Sequence, residues 1–402
     1  MSAYTRTLTC SPISTMACAL PNLKLRQSLL DPALPPRRCP PEHAETRFGY
    51  FGDAREEKGF PIISEAIDAA RDLVQGTVRP HFTIQSNFNV PGGDAGSARG
   101  YLRLQSLPQE WRNLVFGPFQ GTEYLSLFES IDAVLMPYDP IRYFARSSGV
   151  FMEALVAGRA AIVSAGSWMA SQAEPFRQAY LRAAEDSLKC GSAIVSLGHF
   201  VVADSGATCS LSPVAVTSGV RQILVRIEER LAGDIEKFLK VGLSFWNSKG
   251  ELVGECDEGI IASRSDLRVL VDVPADAEYV RTTVSCVGHN FPLAITSMEI
   301  FGIRGTAAIP RSFGVVMCPW TAPGLATAIR EVHVHRAAYL AMVASMRRFW
   351  CQAGDPSQLV KQMTEDARPA IDWNIAAEEA VADWIAAKGA AFDLPQELGT
   401  VQ

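Results

Sequence analysis

Residues 131–168 read IDAVLMPYDPIRYFARSSGVFMEALVAGRAAIVSAGSW and contain the clearest structural pattern of the chain. Ala133–Met136 is a short apolar run that stops at a proline, and Ala160–Val163 is a second such run. Between them, residues 149–157 carry apolar side chains at helical spacing, and a glycine ends that pattern. This order predicts strand, loop, helix and strand, which is the repeating unit of a parallel α/β sheet.

The loop before the predicted helix carries residues suited to an anion. It is expected to open at the carboxyl edge of the sheet, where ligands bind in open α/β folds. Arg146, Ser147 and Ser148 lie in this loop, and Gly149 begins the helix. The N–H groups of a first helical turn have no intrahelical partner, and a glycine lets a phosphate approach the backbone. One turn further, Glu153 places a carboxylate where it can accept hydrogen bonds from hydroxyl groups such as those of a ribose.

A similar βα unit begins near residue 47. The segment FGYFG at 48–52 is predicted to be a strand, the charged loop DAREEKG follows it, and Phe60–Val74 has the pattern of an amphipathic helix. Arg55 and Lys58 therefore lie in the loop between the strand and the helix of this unit. Two cations at the carboxyl edge of the same sheet would complement the anion site predicted on the other loop.

The intervening residues continue the alternation of strands and helices. Strands are predicted at His81–Gln85 and Leu114–Gly117, and a short helix at 121–130. The polar, glycine-rich stretch 86–100 has the composition of a loop. Residues 47–168 thus contain five strand candidates, which predicts a Rossmann-like, doubly wound parallel sheet. Asn87, in a loop after a strand, is a weaker candidate for lining the cleft.

Each candidate also has an interpretation that needs no ligand. Arg55 and Lys58 could simply be neutralised by the acids of their own loop. Ser147 and Ser148 could serve only to cap the helix. Glu153 could be a solvated residue on the helix surface.

Composition narrows the classes of function. The chain has 402 residues, of which 48% are hydrophobic and 20% charged, as in ordinary globular proteins. A net charge of −6 argues against a nucleic-acid partner. The nine cysteines stand singly without a CxxC pair, which favours reduced thiols in a cytoplasmic protein. No apolar run approaches the ~18 residues of a membrane helix. Peripheral attachment at the inner membrane face is the alternative location, because it needs no membrane-spanning helix.

The second half of the chain has a different pattern of apolar and polar residues. From residue 192 to 303, apart from an amphipathic stretch at Val220–Leu239, short alternating runs are separated by turn signals, which predicts an all-β sandwich. The α/β pattern returns with FGVVMCP at 313–319, a long helical region at Ala322–Trp350 and a last helix at Ile371–Lys388. The sandwich is therefore expected to be inserted into the α/β domain.

Four segments follow from these changes. Residues 1–46 are a tail, a linker or a remnant of another domain; 47–190 are the first part of the Rossmann-like domain; 191–305 are the inserted sandwich; 306–402 complete the Rossmann-like domain with C-terminal helices. The sandwich contains aromatic residues that could stack on sugar rings, although a place in the core is the simpler expectation for each of them. These residues are Trp246, Tyr279, His289 and Phe291.

Several blocks occur in a specific order, and the order is more informative than any block alone. They are YFGDAREEKGF at 50–60, VFGPFQGTEYLSLFESIDAVLMPY at 115–138, RSSGVFMEALVAGRAAIVSAGSW at 146–168 and FGVVMCPWTAPGLATAI at 313–329. Together they resemble the donor-binding half of a retaining glycosyltransferase of family 4 (glycosyltransferase group 1), which has the two-Rossmann GT-B architecture. The resemblance covers Arg47–Glu174 and Ser312–Trp350.

The resemblance implies a role for each candidate residue. Lys58 and Arg55 would contact the diphosphate of a nucleotide sugar, and Glu153 would hold its ribose. A leaving nucleoside diphosphate gathers negative charge in the transition state, which fixed cations and helix N–H groups can stabilise without a metal. No metal or resident cofactor is therefore implied, and the nucleotide-diphosphate sugar is the donor substrate. The expected catalytic residues are Arg55, Lys58 and Glu153, and the expected donor-binding residues are Arg146, Ser147, Ser148, Gly149 and Gly117.

The sequence departs from the family pattern in three respects. Ala145 stands where many members carry an acid that contacts the donor sugar, and Asp53 stands where many carry an arginine. Only a short segment precedes the donor half, whereas a GT-B enzyme needs a second Rossmann domain for its acceptor. We therefore expect that the chain is a fragment, that a partner chain supplies the acceptor domain, or that the protein binds without catalysing.

The sequence thus leaves three functions open. The first is a transferase that moves a sugar to a saccharide or glycolipid acceptor in polysaccharide synthesis. The second is a non-catalytic carbohydrate-binding or assembly protein built on a truncated transferase domain. The third is an α/β enzyme that modifies nucleotide sugars, such as an epimerase, although the first βα loop has no GxGxxG fingerprint.

Overall fold

The computed structural model describes residues 45–74, 79–88, 93–119, 122–188, 195–197, 200–202, 208–229, 237–262, 266–287, 293–304, 308–353 and 372–387. The segment 1–46, except for its last two residues, lies outside the described residues, as do His289 and Phe291. None of the helices within these ranges combines the length and the apolar character that a membrane span requires.

Six parallel strands form the central sheet of the protein. They are β1 (Arg47–Tyr50), β2 (His81–Gln85), β3 (Arg112–Val115), β4 (Ala133–Met136), β5 (Ala160–Ser164) and β16 (Val315–Cys318). Their order is β16, β5, β4, β1, β2, β3, and all neighbours run parallel. Every side chain of β4, β5 and β16 is buried, which explains their unbroken apolar runs. The prediction of a Rossmann-like parallel sheet beside a β domain is confirmed.

The strand order reverses direction between β1 and β4. From β1 the chain extends to β2 and β3 on one side, and it then returns to place β4, β5 and β16 on the other. The loops that leave the carboxyl ends of β1 and β4 therefore begin side by side but lead away from each other. Such a topological switch point creates a crevice, and it is the usual ligand position in open α/β sheets.

Helices connect and cover these strands. They are α1 (Phe60–Leu73), α2 (Ala95–Ser106), α3 (Thr122–Glu129), α4 (Gly149–Val156), α5 (Trp168–Leu188), α6 (Ala322–Val334), α7 (Arg336–Ala353) and α8 (Trp373–Ala387). Helix α1 packs against α2 and α6, while α8 packs against α5 and α7. The hydrophobic core lies between these helices and the sheet.

One expectation about the helices is corrected, and a second is refined. The polar stretch 86–100, which was expected to be a loop, contains the start of α2. Asp94 caps this helix by accepting a hydrogen bond from the Ser97 N–H at 2.7 Å. The long helical region expected at Ala322–Trp350 is present, as two helices that meet at His335. The break lets Arg336 donate from Nε to the buried Asp132 carboxylate at 2.9 Å.

Two antiparallel sheets lie, in sequence, between β5 and β16. One contains β13, β10, β15, β6 and β7, and the other β12, β11, β14, β8 and β9. Their strands are β6 (Val195–Leu197), β7 (Phe200–Val202), β8 (Thr208–Ser210), β9 (Val214–Ala215), β10 (Val220–Glu229), β11 (Lys237–Trp246), β12 (Leu252–Ala262), β13 (Asp266–Asp272), β14 (Tyr279–Val287) and β15 (Leu293–Arg304). The two sheets share a core of their own.

The amphipathic stretch Val220–Leu239 is not a separate element of this region. It contains strand β10 and the first residues of β11. Ile223, Val225 and Ile227 are fully buried at a spacing of two, which is the period of a strand with one face in a core.

A buried network of charges joins the antiparallel sheets to the α/β part. Arg177 on α5 donates to Glu258 on β12 at 3.2 Å, and Arg311 lies 3.5 Å from the same carboxylate. Glu174 stands 3.7 Å from Arg177, and Glu331 stands 3.4 Å from Arg311. No side chain of the network is more than 9% exposed. Burial raises the pKa of Glu174, which shows that its charge is held at a cost in desolvation.

Candidate functional site

The two loops of the switch point are in direct contact. Gly59 adopts a left-handed backbone with φ of 72°, and a Cβ atom there would lie 1.9 Å from the carbonyl oxygen of Pro137. Only a glycine permits this approach, because any side chain would meet backbone atoms. The loop after β1 is thereby held against the loop after β4, so that their polar residues face a common space.

Lys58 reaches across the end of β1. Its Nζ atom lies 5.9 Å from the centre of the Tyr138 ring, and 2.9 Å from the position that a Cβ would occupy at Gly52. Gly52 has a φ of 123°, so this position favours glycine for conformational as well as steric reasons. The ammonium group is therefore placed between the loops that follow β1 and β4.

Ser148 and Gly149 form the start of α4, as the sequence predicted. The Ser148 hydroxyl caps the helix by accepting from the Phe151 N–H at 3.4 Å, and it also hydrogen-bonds the Tyr138 side chain. The capping interpretation is thus correct for Ser148, whose hydroxyl is already engaged. An anion at this end of α4 would be met by the N–H groups of the first turn.

Glu153 is buried rather than solvated on the helix surface. It is 7% exposed, and its Oε2 atom accepts a hydrogen bond from the Tyr124 hydroxyl at 2.8 Å. The Tyr124 ring contacts Phe51, at the end of β1, with 6.0 Å between ring centres. Burial of the Tyr138 hydroxyl raises its pKa, and the nearby Glu153 charge raises it further. The carboxylate thus stands on the same side of the crevice as the start of α4.

Gly117 belongs to a set of hydrogen bonds that ties three strand ends together. Its N–H donates to Asn87 Oδ1 at 2.7 Å, and its carbonyl accepts from Asn87 at 2.8 Å and from Gln85 at 3.0 Å. Gln85 in turn accepts from the Gly52 N–H at 2.7 Å. The polar groups of Gly117 are therefore bonded within the chain. Through Gln85 they are linked to Gly52, beside which the Lys58 ammonium lies.

Arg55 and Arg146 stand further out along the loops. The Arg55 guanidinium pairs with Asp53 at 3.4 Å and with Glu57 at 3.1 Å. Arg146 is exposed, and its guanidinium lies 5.9 Å from the centre of the Tyr143 ring. Ser147 is half-buried beside Ser148. The structure thus brings Lys58, the start of α4 and Glu153 together, with both arginines at the rim.

Reasoning from the sequence missed the aromatic part of the site. Tyr138 directly follows the proline that ends β4, and that position could have identified it. Tyr124 lies on α3, and nothing near it in the sequence signals its bond to Glu153. Trp320, after β16, donates its indole N–H to the carbonyl of Pro137 at 2.9 Å. Helices and strands distant in sequence supply these rings, so only the folded chain reveals them.

No family model and no curated protein matches this chain. Among solved structures, the enzymatically active domain of tailspike protein 4 of bacteriophage CBA120 is similar, with 15% identity and a TM-score of 0.21 over 25% of this chain. This chain spans only 15% of that protein.

Two other solved structures are similar over part of the chain. The C-terminal domain of a glycosyl transferase group 1 family protein from Francisella tularensis shows 18% identity and a TM-score of 0.24, over 36% of this chain and 67% of that one. A xylan-binding module shows 13% identity and a TM-score of 0.20, over 26% of this chain and 77% of that one. Because the TM-scores are this low, no functional conclusion is drawn from them.

Proposed function

We propose that this protein is a glycosyltransferase of the GT-B type, which moves a sugar from a nucleotide-diphosphate donor to a saccharide or lipid-linked acceptor. The observation that most supports this function is the meeting of Lys58, the start of α4 and the buried Glu153 at the switch point of the sheet. A nucleotide diphosphate needs cationic and N–H donors for its phosphates and an acceptor for its ribose hydroxyls. The crevice offers both.

The same groups fit the chemistry of transfer. The bond between the anomeric carbon and the diphosphate oxygen breaks, and negative charge gathers on the leaving diphosphate. Lys58 and the N–H groups at the start of α4 stabilise that charge, while Glu153 orients the nucleoside through its hydroxyls. The acceptor oxygen bonds to the anomeric carbon as the diphosphate leaves, and the proton of the acceptor hydroxyl passes to the leaving diphosphate oxygen, with the retained configuration that the family resemblance implies. A further domain or a partner chain would present this acceptor from the open side of the carboxyl edge.

The assignment of Glu153 is tested by the variant Glu153→Gln. The amide keeps the size of the side chain but removes the charge, so we expect affinity for a nucleoside diphosphate to fall about ten- to a hundredfold. Isothermal titration with UDP, GDP and ADP measures this change. This loss of affinity should disappear with the matching 2′,3′-dideoxynucleoside diphosphates, because they have no ribose hydroxyls that could donate a hydrogen bond to the carboxylate.

Tyr124→Phe is the matched control for this experiment. It removes the hydroxyl that donates to Glu153 but keeps the carboxylate and the ring contact with Phe51. We expect it to weaken binding less than Glu153→Gln does. An equal loss of affinity for ribo- and dideoxynucleotides in Glu153→Gln would show that the carboxylate has a structural role and does not bind ribose.

A second candidate function, saccharide binding by the antiparallel sheets, rests on one surface feature. Trp246 and Tyr279 lie opposite each other on paired strands, and Tyr279 is 43% exposed. Arg281 stacks on Trp246 at 5.1 Å from its ring centre. The expectation that these two aromatics belong to the core is therefore wrong, because Phe245 takes the buried position and the next residue on the strand faces outward.

The variant Tyr279→Ala separates the two functions. If the surface binds saccharides, loss of the ring should lower affinity for an oligosaccharide about fivefold, because ring stacking contributes about 1 kcal/mol. If the protein is a transferase whose site lies at the switch point, the variant should turn over a nucleotide sugar at the rate of the wild type. Turnover and oligosaccharide titration on the same preparations distinguish these outcomes.

A further inference from the structure

A separate cleft opens beside the switch point, and Arg55 is one of the residues that line it. Its volume is about 460 Å³, and its walls come from the loop after β1, the start of α2, the loop after β4 and the loop after β16. All four segments lie at the carboxyl edge of the sheet. The cleft is therefore part of the same face as the crevice that holds Lys58, although Ser148 and Glu153 do not line it.

A chain of ion pairs runs along this cleft. Glu57 pairs with Arg55 at 3.1 Å and with Arg142 at 3.0 Å, and Arg142 also pairs with Asp139 at 3.7 Å. Each of these side chains ends in a planar group, and the pairing brings those groups side by side along the cleft. Planar carboxylate and guanidinium groups accept and donate hydrogen bonds in defined directions, as recognition of hydroxyl groups requires.

The charge of the cleft disfavours a second phosphate. Four carboxylate side chains line it, those of Glu56, Glu57, Asp94 and Asp139, against the two guanidinium groups of Arg55 and Arg142. A site with excess negative charge repels an anion. A neutral ligand rich in hydroxyl groups can donate to these carboxylates without an electrostatic penalty.

Trp320 supplies the apolar part of the cleft. Its indole N–H donates to the carbonyl of Pro137 at 2.9 Å, which holds the ring at the start of the loop after β4. An indole ring whose polar atom is already satisfied offers its faces for stacking. An aromatic ring beside oriented polar groups suits a pyranose, which has an apolar face and a rim of hydroxyls.

We infer that this cleft binds a saccharide, and that it holds the sugar of the acceptor next to the diphosphate site. The inference deepens the proposed function, and the identification of this saccharide as the acceptor rests on that function. The two sites are neighbours, because Trp320 in the cleft wall bonds to Pro137, which directly precedes the Tyr138 ring near Lys58. The site itself rests only on Trp320, on the ion pairs and on the shape of the cleft.

The test is titration of the full chain with maltotetraose, cellotetraose, xylotetraose and chitotetraose. We expect at least one of them to bind the wild type, and Trp320→Ala to weaken that binding about tenfold. Trp320→Phe keeps an aromatic ring but loses the bond to Pro137, so it should stay within about threefold of the wild type. If Trp320 is merely structural, the two variants will lose affinity equally, and the inference fails.

Controls separate this inference from the proposed function. Tyr279→Ala should leave oligosaccharide binding unchanged, and a loss there would assign binding to the antiparallel sheets and overturn the inference. Titration with UDP, GDP and ADP reports on the diphosphate site independently. Binding of a nucleoside diphosphate without binding of any of the four oligosaccharides would refute the cleft while the donor site stands. Binding of an oligosaccharide that needs Trp320, without any nucleotide binding, would support the cleft and reject the donor site.

Discussion

Replacing Lys58 with alanine is expected to slow turnover of a nucleotide-diphosphate sugar about a hundred- to a thousandfold. The ammonium group lies between the two switch-point loops, 5.9 Å from the Tyr138 ring centre, where the charge of a leaving diphosphate would gather. Fixed charges aimed at such a position act mainly in the transition state, so kcat should fall more than KM rises. Release of the nucleoside diphosphate from UDP-, GDP-, ADP- and dTDP-glucose measures the effect.

Arg55→Ala provides the comparison for this variant. Its guanidinium is shared between Asp53 and Glu57, so much of its charge is already offset within the loop. We therefore expect a smaller loss of turnover than for Lys58→Ala. Affinity for the nucleoside alone should be the same in both variants as in the wild type, because the proposal assigns both cations to the diphosphate. A Lys58→Ala protein with wild-type turnover would remove the diphosphate from this crevice.

Replacing Arg177 with methionine is expected to lower the free energy of unfolding by about 3–5 kcal/mol at neutral pH. The side chain is 2% exposed and pairs with both Glu174 and Glu258. Methionine fills similar space and favours a helix. It leaves Arg311 as the one remaining guanidinium in a network of three buried carboxylates, which are those of Glu174, Glu258 and Glu331. Denaturation in guanidinium chloride, followed by circular dichroism, measures the loss.

This loss should depend on pH. In the native protein burial raises the pKa of Glu174, and the charge of Arg177 opposes that rise. Without Arg177 the folded state keeps the carboxyl proton to a higher pH than the unfolded state does, so stability falls as the pH rises through that range. The difference between variant and wild type should be smallest below the ordinary glutamate pKa, about 4.3, and largest at neutral pH.

Arg348→Met is the matched control for the buried network. Arg348 also has two carboxylate partners, Glu379 at 3.3 Å and Asp383 at 3.0 Å, but its side chain is 51% exposed. Exposed pairs contribute about 0–1 kcal/mol because water screens them. Equal destabilisation by the two variants, or none at all in Arg177→Met, would show that the contact between the antiparallel sheets and α5 does not depend on this network.

Lys58 and the buried charge network occupy different parts of the molecule. The sheet places Lys58 and the start of α4 at its switch point, and the buried charges attach the antiparallel sheets to α5. Weakening the network should therefore affect stability first. Its effect on nucleotide affinity should be small, because no residue of the network lines the crevice or the cleft.

The sequence by itself determined the parallel sheet and the elements that carry the candidate residues. Strands buried on both faces require unbroken apolar runs, so Ala133–Met136 and Ala160–Ser164 were recognisable before any contact was known. Because the carboxyl ends of parallel strands share one edge, the positions of Lys58, Ser148 and Glu153 after strands also predicted a common site. The period was misjudged over 220–239, a stretch that contains strand β10 and the first residues of β11.

Only the tertiary structure decided which of these residues work as a site. The order of the strands brings the loop after β16 to Pro137, and so places Trp320 beside the loops of β1 and β4. Packing of α3 against Phe51 brings Tyr124 to Glu153 and buries a carboxylate that a helical pattern alone would leave in solvent. The physical reason is that periodicity records which face of an element is buried, whereas the neighbour it meets there depends on chain segments far away in sequence.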